Sequence, residues 1–132
     1  MAEGSGTSRL ALVVDDDEDN ALIASSMLRA QGFKVRVAYD GPSALKLLEE
    51  ERPDLILLDV MMPEMNGLEV LERIRANPRN AAVPVILVTA KTQDEDVLAG
   101  YKSGADYYIT KPFTSRQLLH GIGLVMGTDQ QE

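Results

Sequence analysis

The sequence predicts a doubly wound α/β domain built on a parallel five-stranded sheet. Five strand-like stretches alternate with five helix-like stretches along the chain, the pattern of a parallel sheet covered by helices on both faces. Three of those strands (Leu10 to Val14, the run from Leu55, and Pro84 to Val88) are apolar without interruption, as strands buried on both faces are. Each of the three then meets a polar residue: Asp15, Asp59 and Thr89.

Residues 1–8, M-A-E-G-S-G-T-S, read as a flexible tail, and residues 128–132 as another, with the domain spanning 9–127. After the first strand, Asp17 is placed to cap a helix through about Gln31, with Ile23, Met27 and Ala30 on one stripe. Gly32 is the stop. Lys34 to Ala38 alternates Val35 and Val37 with Lys34 and Arg36, so this strand has one wet side and belongs near a sheet edge. Asp40-Gly41-Pro42 starts a second helix, with Ala44, Leu47, Leu48 and Glu51 spaced as a narrow stripe.

Arg52-Pro53 ends that helix and L-I-L-L-D follows. Asn66-x-x-Glu69 resembles a capping box, opening a helix lined by Gly67, Leu71 and Ile74 that stops before Asn77-Pro78. After the fourth strand, Thr92-x-x-Glu95 caps a helix carrying Val97, Leu98 and Tyr101, closed by Gly104. Tyr107 to Thr110 is the last strand. Thr114-x-x-Gln117 caps the last helix, with Phe113 and Leu118 as a hydrophobic staple and Leu118, Ile122 and Val125 on its stripe. Gly121 and Gly123 weaken that helix by about 1 kcal/mol each relative to Ala, so it frays before Gly127. The three apolar strands belong at the centre and the second and fifth at the edges. The order 2-1-3-4-5, that of flavodoxin-like folds, satisfies this.

Composition narrows the function. The chain has 132 residues, enough for one domain that folds without staples. It has no Cys, hence no disulfide, thiolate metal site or Cys nucleophile. The segment Met1 to Arg9 has no apolar core and no run reaches membrane-spanning length. A cytoplasmic protein without membrane contact is expected. A net charge of -8 argues against direct nucleic-acid binding through a basic face and suits cations or basic partner surfaces.

The polar residues at the strand exits share one edge of the sheet. In the order 2-1-3-4-5 the chain reverses direction between the first and third strands, and ligands sit in the crevice at such a switch point. Asp15, Asp16 and Asp59 flank it. Like charges brought so close destabilise one another unless a cation intervenes. Three carboxylates with no His or Cys nearby favour a hard cation, Mg²⁺ first, with Mn²⁺ able to substitute. Lys111 is a compact positive charge suited to a phosphate or carboxylate, and Thr89 offers a hydroxyl. On their own, Lys111 reads as a solvated surface lysine and Thr89 as an ordinary strand residue. Their shared edge makes the set a site for a phosphoryl group on or beside Asp59. Asp can act as a nucleophile and form an aspartyl phosphate. Asp59 stands alone on a central strand, whereas the Asp15-Asp16 pair is better suited to holding the cation.

The motifs V-V-D-D-D, L-L-D-V-M-M-P-E-M-N-G, V-T-A and I-T-K-P-F, in this order and spacing, resemble the receiver domain of bacterial two-component response regulators. The resemblance covers about Leu10 to Met126. It implies that Asp59 is the phosphoacceptor, Asp16 a direct metal ligand and Asp15 an acidic partner acting largely through water. Met61 matches the position whose backbone carbonyl binds the metal. It implies that Thr89 turns toward the phosphoryl group, that Lys111 pairs with it, that Tyr108 is the aromatic switch residue, and that the Lys111–Pro112 bond is cis. The implied donor is a sensor histidine kinase or histidine phosphotransfer protein. The implied reader is an effector protein or output domain at the face formed by the last strand and last two helices. A phosphorylation-dependent dimer is compatible with it. The only His in the chain, His120, is expected to be a surface residue, so the donor is external. No enzymatic activity is implied beyond self-phosphorylation and slow autodephosphorylation.

Two other classes compete. A Mg²⁺-dependent small-molecule phosphatase or phosphotransferase also uses an Asp nucleophile at a strand end. It usually needs a second carboxylate two residues on, where this chain has Met61, and a cap that no insertion supplies. A flavin-binding module would need a Ser/Thr/Gly-rich phosphate loop after the first strand, where this chain has Asp15-Asp16-Asp17-Glu18-Asp19.

Overall fold

The apolar runs form a five-stranded sheet in the order β2-β1-β3-β4-β5, with every neighbouring pair parallel. The strands are β1 (Leu10–Val14), β2 (Lys34–Ala38), β3 (Leu55–Asp59), β4 (Val85–Thr89) and β5 (Tyr107–Thr110). The structure, a computed structural model, describes residues 9–89 and 104–127. The helix expected from Thr92, with Val97, Leu98 and Tyr101, lies outside the described residues, as do Ala90 and both tails. Four helices are described: α1 (Glu18–Ala30), α2 (Gly41–Glu50), α3 (Gly67–Ala76) and α4 (Ser115–Met126). None is long and apolar enough to cross a membrane.

Successive strand residues point to opposite faces, so the sheet divides the core in two. Leu12, Ile56, Leu58 and Leu87 pack with Leu48 of α2 and Leu71 of α3. Val13, Leu57, Ile86 and Val88 pack with Leu28 of α1 and Leu118 of α4. β3 and β4 are buried at every position, while β2 alternates and lies at an edge.

The helix starts follow from side chains that accept the first free amides. Asp17 accepts from the Asp19 and Asn20 amides at 2.9 and 3.1 Å. Asp40 accepts from the Ser43 amide at 2.7 Å. Asn66–Glu69 and Thr114–Gln117 are reciprocal capping boxes.

Three helix faces differ from the expectation. α1 buries Ala21, Ala24, Ser25 and Leu28, whereas Ile23 is 53% exposed and Ala30 is exposed. Small residues pack α1 close to the sheet around Leu28, while Leu22 and Ile23 stand outside. In α2, Glu51 is the extended C-cap rather than part of the stripe. In α4, Gly121 and Gly123 face the core, and the helix stops at Met126, before Gly127 as expected, with Gly127 at φ 66°. A Cβ on Gly121 would lie 3.0 Å from the Tyr107 ring. That glycine therefore seats the helix against β5, and the packing offsets its poor helix propensity.

Candidate functional site

Four strand exits meet at the carboxyl edge of the sheet. Asp15 follows β1, and its amide donates to the Ala38 carbonyl at 3.1 Å, which fixes it beside β2. Its Oδ1 accepts from the Asp17 amide at 2.9 Å, so the acidic loop turns back on itself. Asp15 is buried and Asp16 exposed. Asp59 ends β3 at 4% exposure, with Oδ1 accepting from the Met61 amide at 3.2 Å. Thr89 ends β4 and is 1% exposed. Its carbonyl accepts from the Lys111 amide at 2.8 Å, which carries the β4–β5 ladder one residue past β5.

That last bond delivers Lys111 to the cluster. Its ammonium lies 3.1 Å from Asp15 Oδ2 and 3.3 Å from Asp59 Oδ2. The Lys111–Pro112 peptide is cis. Oxygen atoms of Asp15, Asp16 and Asp59 all lie within 4.8 Å of one another. The structure thus gathers Asp15, Asp16, Asp59 and Lys111, with Thr89 bound to Lys111 through the backbone. Met61 faces outward at 55% exposure. Tyr108 is not in the cluster. It is half-buried, pairs with Leu87 two rungs back from Thr89, and packs on the α2–α3 side. His120 is exposed on α4 and meets the Tyr107 ring edge-on at 6.4 Å.

The electrostatics of the edge are those of an unneutralised pocket. Burial pushes the Asp59 carboxyl up to about 6, and the Asp15 charge adds to this. The Lys111 charge and the Met61 amide pull the other way without cancelling it. Burial pulls the Lys111 ammonium down, but the Asp59 charge and the Asp15 contacts outweigh it, and its net shift is upward. One lysine therefore does not compensate three clustered carboxylates. An all-oxygen donor set with surplus negative charge fits a hard divalent cation that retains waters. A cavity of about 350 Å³ opens beside the carboxylates, walled by Val13, Ala24, Leu57, Val88 and Phe113.

Gly67 has a second role that helix periodicity does not reveal. A Cβ there would sit 2.2 Å from the Asp59 carbonyl oxygen and 2.8 Å from Val60 Cα. The bare glycine lets α3 start directly against the end of β3, with its amide bonded to the Val60 carbonyl at 2.9 Å. The signal available in the sequence was the Asn66-Gly67 pair so soon after the strand.

Fold and edge together define a doubly wound domain with an acidic crevice closed by a lysine. The family model of the response regulator receiver domain matches residues 11–122, and the chain belongs to that family. Among its relatives, the DNA-binding response regulator MtrA of Mycobacterium tuberculosis is 47% identical over 108 residues, which are 82% of this chain and 46% of the relative. The transcriptional regulatory protein AfsQ1 of Streptomyces coelicolor is 45% identical over 123 residues, 93% of this chain and 53% of the relative. The chain thus spans about half the length of the curated relatives it matches. Among solved structures, the chemotaxis protein CheY4 of Vibrio cholerae superposes with a TM-score of 0.85 at 31% identity, covering 89% of this chain and 98% of that one. The match to receiver domains leaves the small-molecule phosphatase without support.

Proposed function

We propose that this chain is the phosphoacceptor module of a two-component or phosphorelay system, with Asp59 as the acceptor. The observation that carries the reading is the convergence of buried Asp59, Asp15 and the Lys111 ammonium, within 3.3 Å of both carboxylates, at one edge of the sheet. Asp15, Asp16, Asp59 and the Met61 carbonyl are the groups that would hold Mg²⁺. When bound, the cation supplies positive charge to the phosphoryl oxygens in transit.

The chain's own residues do the rest. A carboxylate oxygen of Asp59 attacks phosphorus. The P–N bond to a partner's phosphohistidine breaks, and its electron pair returns to the imidazole nitrogen. Lys111 is already poised over Asp59 and pairs with the new phosphoryl charge. The Thr89 hydroxyl turns toward a phosphoryl oxygen, and Tyr108 moves inward into the space released. A local charge event thus biases an element with two packings, β5 and the adjoining α4. That face is what an effector or an output domain reads. The donor is a histidine kinase or a histidine phosphotransfer protein. The bound phosphate leaves by slow self-catalysed hydrolysis.

Incubation with acetyl phosphate and Mg²⁺ tests the reading by intact mass. One phosphoryl group is expected, absent when the metal is chelated beforehand and absent from Asp59→Asn. Equal labelling of Asp59→Asn overturns the assignment.

A further inference from the structure

β5 is the shortest strand, four residues at a sheet edge, paired only with β4 among the described strands. Strand register is set by the hydrophobic pattern where the two faces differ, and is weakly set where they do not. Here the first two residues are both tyrosine, one on each face: Tyr107 packs on the α1–α4 side and Tyr108 on the α2–α3 side. A slip of one residue would put a tyrosine at one of those places again, so side-chain pattern discriminates poorly between the registers.

The far end of β5 carries a clamp that discriminates well. The Asp106 amide donates to the Val85 carbonyl at 3.0 Å, and its Oδ2 accepts from the Val85 amide at 2.8 Å. Asp106 therefore satisfies both polar groups of the first residue of β4. The same Oδ2 accepts from Arg75 Nη2 at 2.8 Å. Arg75, near the end of α3, directs three more donors to carbonyls: Gly104 at 2.8 Å, Ala81 at 3.1 Å and Val83 at 2.7 Å. One planar guanidinium thus ties the loop before β4 to the loop before β5, with the fixed fork that lysine lacks. Gly104 stands at φ 107°, and a Cβ there would lie 3.0 Å from the Arg75 side chain. The loop is shaped to the arginine.

We infer that Arg75 and Asp106 are positioning residues for Lys111: they lock β5 in register with β4 at the edge of the sheet opposite the site. The ladder runs from Asp106 through Tyr107–Thr110 to the Lys111–Thr89 bond at 2.8 Å. A slip of one residue displaces Lys111 by roughly 3.3 Å along the strand. That is as long as its contacts to Asp15 and Asp59, at 3.1 and 3.3 Å, so neither survives in the present side-chain conformation. The consequence for phosphorylation rests on the phosphoacceptor reading; the register claim does not.

The test uses Arg75→Ala, Arg75→Lys and Asp106→Asn in the whole chain, with Leu48→Ala as a core variant remote from β5. Two quantities are read: hydrogen exchange of the Lys111 and Asp106 amides, and the rate of acetyl phosphate labelling at saturating Mg²⁺. In Arg75→Ala both amides should lose protection beyond any loss of global stability. Labelling should fall on the order of 10- to 100-fold, the scale of a misplaced catalytic group. Metal affinity should not fall, since Lys111 is not a metal ligand and its positive charge beside Asp15 and Asp59 opposes the cation. Arg75→Lys should recover part of the rate. Leu48→Ala should label at the native rate while folded. If Arg75→Ala fails to fold, the same comparison falls to Arg75→Lys and Asp106→Asn. Native amide protection and native labelling in the Arg75 and Asp106 variants would overturn the inference. Absence of labelling in the native chain would instead sink the phosphoacceptor reading, and the exchange data would still decide the register.

Discussion

Replacing Asp59 by Asn should make the metal-free protein more stable at neutral and basic pH. The carboxyl is 4% exposed, and burial with the Asp15 charge raises it from 3.8 to about 6. The unfolded chain releases this proton near pH 3.8, while the folded chain holds it until about pH 6. Between those pH values the folded state binds more protons, so stability rises as pH falls. Above about 6 the full cost of the buried charge is present. At about 1.4 kcal/mol per pH unit, the two-unit shift corresponds to roughly 3 kcal/mol. That rise is already net of the Lys111 contact at 3.3 Å, which pulls the other way, so a gain of about 3 kcal/mol is the upper bound for the substitution. Urea unfolding in chelator, at about pH 8 and about pH 5, measures it through the midpoint at constant slope. The native chain should gain on the variant as the pH is lowered. An Asn variant no more stable than the native protein at the higher pH, with parallel pH dependence, would refute the account of the crevice as an unneutralised pocket.

Three other outcomes follow from the same geometry. Mg²⁺ should raise the thermal midpoint, and the increment should shrink below about pH 6 as protons compete for Asp59; calorimetric scans across pH read this, and a pH-independent increment would place the ion elsewhere. Gly67→Ala forces a Cβ against the Asp59 carbonyl at 2.2 Å, so it should cost about 2 kcal/mol or more and weaken Mg²⁺ binding as well. Chemical unfolding and metal titration test both parts, and a near-neutral variant would contradict the close approach. Asn66→Ala removes the α3 capping box and should cost about 1 kcal/mol with metal affinity nearly unchanged. A larger loss of metal binding than of stability would show that the cap shapes the site.

Sequence exposed the sheet because its signals are local. Three uninterrupted apolar runs, one alternating run and a tyrosine-led run specify central and edge strands, and chain reversal then collects Asp15, Asp16, Asp59, Thr89 and Lys111. What it concealed depends on distance or on small residues. The buried face of α1 was misassigned because Ala21, Ala24 and Ser25 do the packing while Leu22 and Ile23 are exposed at 62% and 53%. Hydrophobicity pointed to the wrong side. Gly121 looked like a defect in a helix and is a seat for the Tyr107 ring. The Arg75 clamp joins residues 29 and 31 positions apart, beyond the reach of any local pattern, and Arg75 reads in sequence as one more cation at a helix end.

On the proposed mechanism Asp59, and neither member of the Asp15-Asp16 pair, becomes covalently bonded to phosphorus. Borohydride reduces an aspartyl phosphate to homoserine at the acceptor position, and tandem mass spectrometry of the digested protein locates it. After incubation with Mg²⁺ and acetyl phosphate, homoserine is expected at position 59 alone. Conversion at Asp15 or Asp16 would contradict it, as would no conversion in a folded, Mg²⁺-loaded protein.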